Sequence, residues 1–279
     1  MIEKSKKISE FLVCEHKNNK RFKNLTGDLK PESIPEAYIA QHYFHESAGR
    51  GSLGGYKIAL SSKIQQEHHN INQPLIGGLF KSEILFGPQI LERNKYKGLG
   101  IEIELAFQLS NKIREFNKKI CLGDLKKIIA KVFPAIELVE DREANYSGLD
   151  PLSLICDNAW SGGLVLGKEI LDWDKVNFSN LYSKVVWNDE NGVSAPVMDA
   201  DPFNNLCWLL NDVKSKNKPL EEGFKDSQNK NASGRLDFPA SGSFVSPDIQ
   251  LPSSPLDKRF TFDRFVVGKP NELAHAAAR

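Results

Sequence analysis

Cysteine is scarce in this chain, and long apolar runs are missing altogether. The four cysteines, Cys14, Cys121, Cys156 and Cys207, lie far apart with no Cys-x-x-Cys spacing. Cys156 and Cys207 stand among apolar neighbours, which favours buried free thiols over disulfide partners and suits a reducing cytoplasm. No apolar stretch reaches the roughly 20 residues that a transmembrane helix needs. The opening segment Met1-Ile2-Glu3-Lys4-Ser5-Lys6-Lys7 has charge without an apolar core behind it, so no secretory signal is expected. Charge of one sign is lacking too. A formal net charge of +1 sets up no long-range field, so neither nucleic acid nor a membrane surface is expected as a partner. What remains is an ordinary globular composition, 40% hydrophobic and 26% charged. Its 279 residues suffice for one large domain, or a small one beside a larger one.

Along the chain the pattern changes character near residue 80. Residues 1 to about 25 are lysine-rich and read as a short helix and a loose loop. Ile34 to Ser47 has helical spacing, with Ser33 as N-cap and Pro35 in the first turn. Four glycines between Gly49 and Gly55 close that helix. Tyr56 to Leu60 reads as a strand and Ser61 to His68 as a short helix. From Ile84 onward strands dominate: Ile101 to Leu109, Val132 to Val139, Gly163 to Leu166 and Val185 to Trp187. Asp124 to Lys131 and Pro202 to Ser215 read as helices, and polar residues 216–234 as a mobile loop. The pattern divides the chain into residues 1–80, an N-terminal helical region with one strand around Lys57, and 81–279, a β-rich domain. Short strands with few crossover helices argue for an α+β or β-rich core over a doubly wound sheet.

Three carboxylates carry the chemistry. Ile101-Glu102-Ile103-Glu104-Leu105 alternates strictly, so a strand points both glutamates to one face. Glu137, in Pro134-Ala135-Ile136-Glu137-Leu138, can complete an oxygen-rich cage. Such a cage suits a hard divalent cation of the Mg²⁺ or Mn²⁺ kind. An isolated Glu-x-Glu is more often just a solvated sheet face.

A resemblance decides between these readings. Gly55-Tyr56-Lys57-Ile58-Ala59-Leu60-Ser61-Ser62 resembles the lysine strand of the 2-keto-4-pentenoate hydratase family, in the fumarylacetoacetate hydrolase superfamily. Glu36-Ala37-Tyr38-Ile39-Ala40-Gln41 is similar to a helix of that family, and the block from Asp157-Asn158-Ala159-Trp160-Ser161-Gly162 to Gly167 to another of its motifs. The Glu-x-Glu strand, Pro134 to Glu137 with Arg142, Asp201 to Leu209 and the turn Ser241-Gly242-Ser243 follow in the same order. The resemblance covers roughly residues 34 to 268. It implies a mixed β-roll core with a small helical N-terminal region, assembly into homo-oligomers, and a place in aromatic catabolism.

The resemblance also implies a divalent-metal-dependent hydro-lyase that hydrates 2-hydroxypenta-2,4-dienoate to 4-hydroxy-2-oxopentanoate. Glu102, Glu104 and Glu137 would hold the metal, and Lys57 would pair with the small 2-keto or 2-enol acid or move a proton. Ser241, Ser243 and Arg142 would bind substrate, with an ordinary ion pair as the other reading of Arg142. Asp157 and Asn158 are expected to tie backbone together, and His68 and His69 to face solvent. Leu75, in Gln73-Pro74-Leu75-Ile76-Gly77, stands where the family has an aspartate. Leucine cannot move a proton. Glu67, His68 or water would substitute, or the chain is a 4-oxalocrotonate-type decarboxylase, a related 2-keto acid hydrolase, or a weakened relative that binds keto acids or a partner protein.

Overall fold

The computed structural model describes residues 1–223, apart from 111, 114, 115 and 189. Two helices come first, α1 (Ile2–Lys17) and α2 (Ile34–Ser47). The first is longer than the short helix expected. Ser5, Ile8, Ser9, Leu12 and Val13 recur at helical spacing and are buried, so packing sustains a helix that its lysines alone would not suggest. In α2 the Ser33 side chain accepts from Glu36 N, as the N-cap pattern predicts. The strand β1 (Leu53–Ala59) follows, then α3 (Lys63–His68), which opens on a capping box between Ser62 and Gln65. Next comes β2 (Leu75–Phe80), antiparallel to β1 with Lys57 opposite Gly77.

A four-stranded sheet follows. Its strands are β3 (Ile84–Phe86), β4 (Leu99–Leu109), β5 (Ile129–Glu140) and β6 (Ser161–Leu166), in the order β3-β6-β5-β4. Only β3 and β6 run parallel within it. The expected helix over Asp124 to Lys131 shortens to α4 (Leu125–Ile128) after one 3₁₀ turn. From Ile129 the chain is already β5, where Ile129, Val132 and Phe133 favour a pleated, buried surface. The helix α5 (Pro151–Cys156) precedes β6. A separate hairpin, β7 (Tyr182–Trp187) with β8 (Glu190–Pro196), leads to α6 (Pro202–Gly223).

That last helix corrects the loop expected from residue 216, because α6 continues to Gly223. Lysine and glutamate are good helix formers, and a polar helix end has the same composition as a loop. Residues 224–234 of that loop, Ser241, Ser243 and the chain beyond them lie outside the described residues.

The core falls into apolar clusters. One joins Ile8, Leu12, Phe44, Leu75, Ile155 and Trp160, so α1, α2, β2 and α5 share it. A second lies under β4, β5 and α6, with Ile128, Val132, Val197 and Leu206. A smaller one, Leu79, Phe133, Ala135 and Leu164, connects the β1–β2 hairpin to the main sheet. Cys156 and Cys207 are buried free thiols. Among the described residues no helix is long and apolar enough to cross a membrane.

Candidate metal centre

The antiparallel pairing of β4 with β5 builds the site. It sets Glu102 directly opposite Glu137 and Glu104 opposite Ala135. Like charges facing each other across strands destabilise a sheet unless something positive joins them. Carboxylate oxygens of Glu102, Glu104 and Glu137 all lie within 4.8 Å of one another. Glu137 is 2% exposed, while Glu102 and Glu104 keep partial access to solvent.

One positive group reaches the cluster. Lys57, buried on β1, places Nζ 2.7 Å from Glu137 Oε1. The two groups form a close, buried ion pair. One ammonium does not neutralise three carboxylates. Burial, then the field of Glu137, pushes the Glu102 carboxyl up to about 7, although Lys57 opposes the shift. Burial and the two neighbouring carboxylates push Glu104 well above the usual carboxylate range. Glu137 is also raised, by burial against the pull of Lys57. Burial lowers the Lys57 ammonium, but Glu137, Glu102 and Glu104 outweigh it and hold the group above its ordinary value. Three converging carboxylates that resist ionisation, with a single ammonium beside them, fit a hard divalent cation.

The remaining candidate residues fall elsewhere. Arg142 is buried, with Nη2 2.8 Å from Asp157 Oδ2 and Nη1 donating to the Lys20 carbonyl at 2.9 Å. That is the ion-pair reading raised for it. Asp157 also meets His16 Nε2 at 2.6 Å, which ties α1 to the α5–β6 turn. Leu75 is fully buried in the apolar cluster of α1, α2 and α5. Glu67 and His68 are exposed on α3.

Near the lysine stem, Asn158 ties backbone together as its motif led us to expect. Asn158, Ala159 and Trp160 are three consecutive non-glycine residues in the left-handed region, at φ 56°, 48° and 55°. Each costs of order 1–2 kcal/mol, so surrounding contacts must hold the turn. Asn158 Nδ2 donates to Gly78 O at 2.9 Å, and its Oδ1 accepts from Gly78 N at 2.6 Å. His45 Nε2 lies 2.7 Å from the same Oδ1. His45 was not singled out in the sequence; it follows Tyr38 and Gln41 along one face of α2, and that spacing of polar residues is the signal that could have found it.

Comparison with known proteins gives a consistent picture at the level of fold. No protein-family model matches the chain. It is 28% identical over 230 residues to 2-oxo-hept-4-ene-1,7-dioate hydratase of Escherichia coli, covering 77% of this chain and 84% of that protein. Its fold is that of 4-oxalocrotonate decarboxylase from Pseudomonas putida G7, solved with magnesium and adipate, at a TM-score of 0.68 and 20% identity over 77% of this chain and 82% of that one. A short likeness of 73% identity over 37 residues joins it to the chromosomal replication initiator protein DnaA of Ruegeria sp. (strain TM1040), spanning 13% of this chain and 8% of that protein. Both of the long likenesses cover most of this chain, and the one to the decarboxylase shows a shared fold.

Proposed function

We propose that this protein is a divalent-metal-dependent lyase acting on a small 2-keto or 2-enol acid in the cytoplasm. Glu102, Glu104 and Glu137 would hold Mg²⁺ or Mn²⁺. The observation that carries the reading is their convergence within 4.8 Å beside a buried lysine. A cation held there supplies Lewis-acid stabilisation of negative charge developing on the substrate's C2 oxygen. Glu102 and Glu104, from one strand face, and Glu137, opposite Glu102, would hold the cation beside Lys57. The Lys57 ammonium, held protonated by Glu137, pairs with the substrate carboxylate or delivers a proton. Ser241 and Ser243 take the substrate-binding role that the resemblance implies.

Hydration of 2-hydroxypenta-2,4-dienoate is the first reading, supported by the likeness to a hydratase that covers most of both chains. Decarboxylation of a 4-oxalocrotonate-type acid is the second. It needs only stabilisation of the charge left when carbon dioxide departs, and Leu75, buried in the core, offers no group to activate water. Steady-state assays of both acids with Mg²⁺ and with Mn²⁺ separate them. Loss of the dienoate without carbon dioxide release supports the hydratase, and metal-dependent carbon dioxide release supports the decarboxylase. No metal-dependent turnover of either acid would overturn the proposal.

A further inference from the structure

The strand that faces Lys57 has one edge with no strand partner among the described residues. The β2 strand pairs with β1 on one side, where Gly77 lies opposite Lys57. Backbone groups of alternate residues point the same way along a strand, so Ile76 and Gly78 present theirs on the other side. Side chains satisfy them there. Ile76 N donates to the Tyr38 hydroxyl at 2.9 Å, and Gln41 Nε2 donates to Ile76 O at 2.8 Å. Asn158 closes on both backbone groups of Gly78. Its amide thus serves as the missing strand.

The orientation of that amide is determined. Because Gly78 N donates to Oδ1 and Nδ2 donates to Gly78 O, Oδ1 is an acceptor, and His45 must donate to it from Nε2. Burial holds the His45 imidazole down to about 4, so it is the neutral donor throughout the physiological range. An added Cβ at Gly77 would meet Asn158 O at 2.6 Å, Ala159 Cβ at 3.2 Å and Lys57 Cε at 3.3 Å. The lysine stem and the left-handed turn therefore share the space over Gly77.

We propose that Asn158, oriented by His45, is a positioning residue for Lys57: by clamping Gly78 it sets the surface on which the lysine stem rests and so aims Nζ at Glu137 and the substrate. The assignment rests on the reading of Lys57 given above. A misplacement of about 1 Å can cost roughly 10²-fold in rate. Asn158→Ala is expected to lower kcat by about that factor, with KM and Mg²⁺ affinity within about threefold of the starting protein.

A second readout does not depend on turnover. A buried, ion-paired ammonium gives a resolved ¹⁵Nζ signal, assigned by its loss in Lys57→Met. That signal should broaden or vanish in Asn158→Ala and in His45→Leu, and return in His45→Gln, whose amide N–H can still donate to Asn158. Should Asn158→Ala not fold, Asn158→Asp decides, since it keeps the acceptor and removes the donor to Gly78 O. Unchanged Lys57 signal and kcat in a folded Asn158 variant would overturn the proposal. So would a kcat loss in His45→Leu that His45→Gln fails to restore. If the wild-type protein turned over neither acid while its Lys57 signal still depended on Asn158, the positioning role would stand and the functional reading would fall.

Discussion

Glu102 makes the site sensitive to pH. Its carboxyl is raised from 4.5 to about 7, and Glu104 and Glu137 move in the same direction. Between these values the unfolded chain releases the proton while the folded chain keeps it. Metal-free stability therefore falls as pH rises from about 4.5 through about 7. A cation binds the ionised carboxylates and competes with those protons, so its stabilising effect runs the other way. The increase in Tm on adding saturating Mg²⁺ should be small near pH 5 and larger near pH 8, read by thermal denaturation. An equal shift at both values would contradict the linkage. Leu75 makes a different prediction. Its resemblance-based position suggested that aspartate there would help catalysis, but its side chain lies in a fully apolar cluster. Leu75→Asp loses apolar burial and buries an unpartnered carboxyl, a cost of at least about 3 kcal/mol. A lowered denaturation midpoint with no gain in rate is the expected result.

At the scale of elements, the β1–β2 hairpin brings the lysine to the carboxylates. Gly77 is the tightest point of that contact. Gly77→Ala would drive a methyl against the Asn158 carbonyl, which is backbone and cannot swing away. Overpacking of this kind costs about 1–3 kcal/mol, and kcat should fall more than KM rises, in a steady-state comparison with the wild type. Much of this hairpin was legible in the chain itself. Tyr56 to Leu60 read as a strand because it is an apolar run interrupted only by Lys57, and Ser33 announced its helix as a cap. The Glu-x-Glu face was legible because apolar and acidic residues alternate there. Its partner was not, because alternation specifies a face but not a neighbour, and only the β4–β5 register puts Glu137 opposite Glu102. The burial of all six residues of β2 was hidden as well, since Gly77 and Gly78 carry no side chain to report it. Polar residues past 215 resembled a loop because a polar helix end has the same composition.

Across the whole molecule, the described elements hold the carboxylates from two directions. The main sheet supplies all three glutamates from β4 and β5. The β1–β2 pair supplies the lysine, and side chains of α2 and Asn158 bond the outer edge of β2. Asp157, paired with His16 and Arg142, ties α1 into the same turn. The main sheet and the β1–β2 pair meet where Lys57 touches Glu137. The central claim is that this meeting point binds one divalent cation. Calorimetric titration of Mg²⁺ and Mn²⁺ into the wild-type protein and into Glu104→Gln tests it most directly, because glutamine keeps the shape and removes the charge. The account predicts one ion per chain in the wild type and at least about tenfold weaker binding in Glu104→Gln, a loss of about 1.4 kcal/mol or more. Absence of binding by the wild type, or equal affinity in the two proteins, would contradict it.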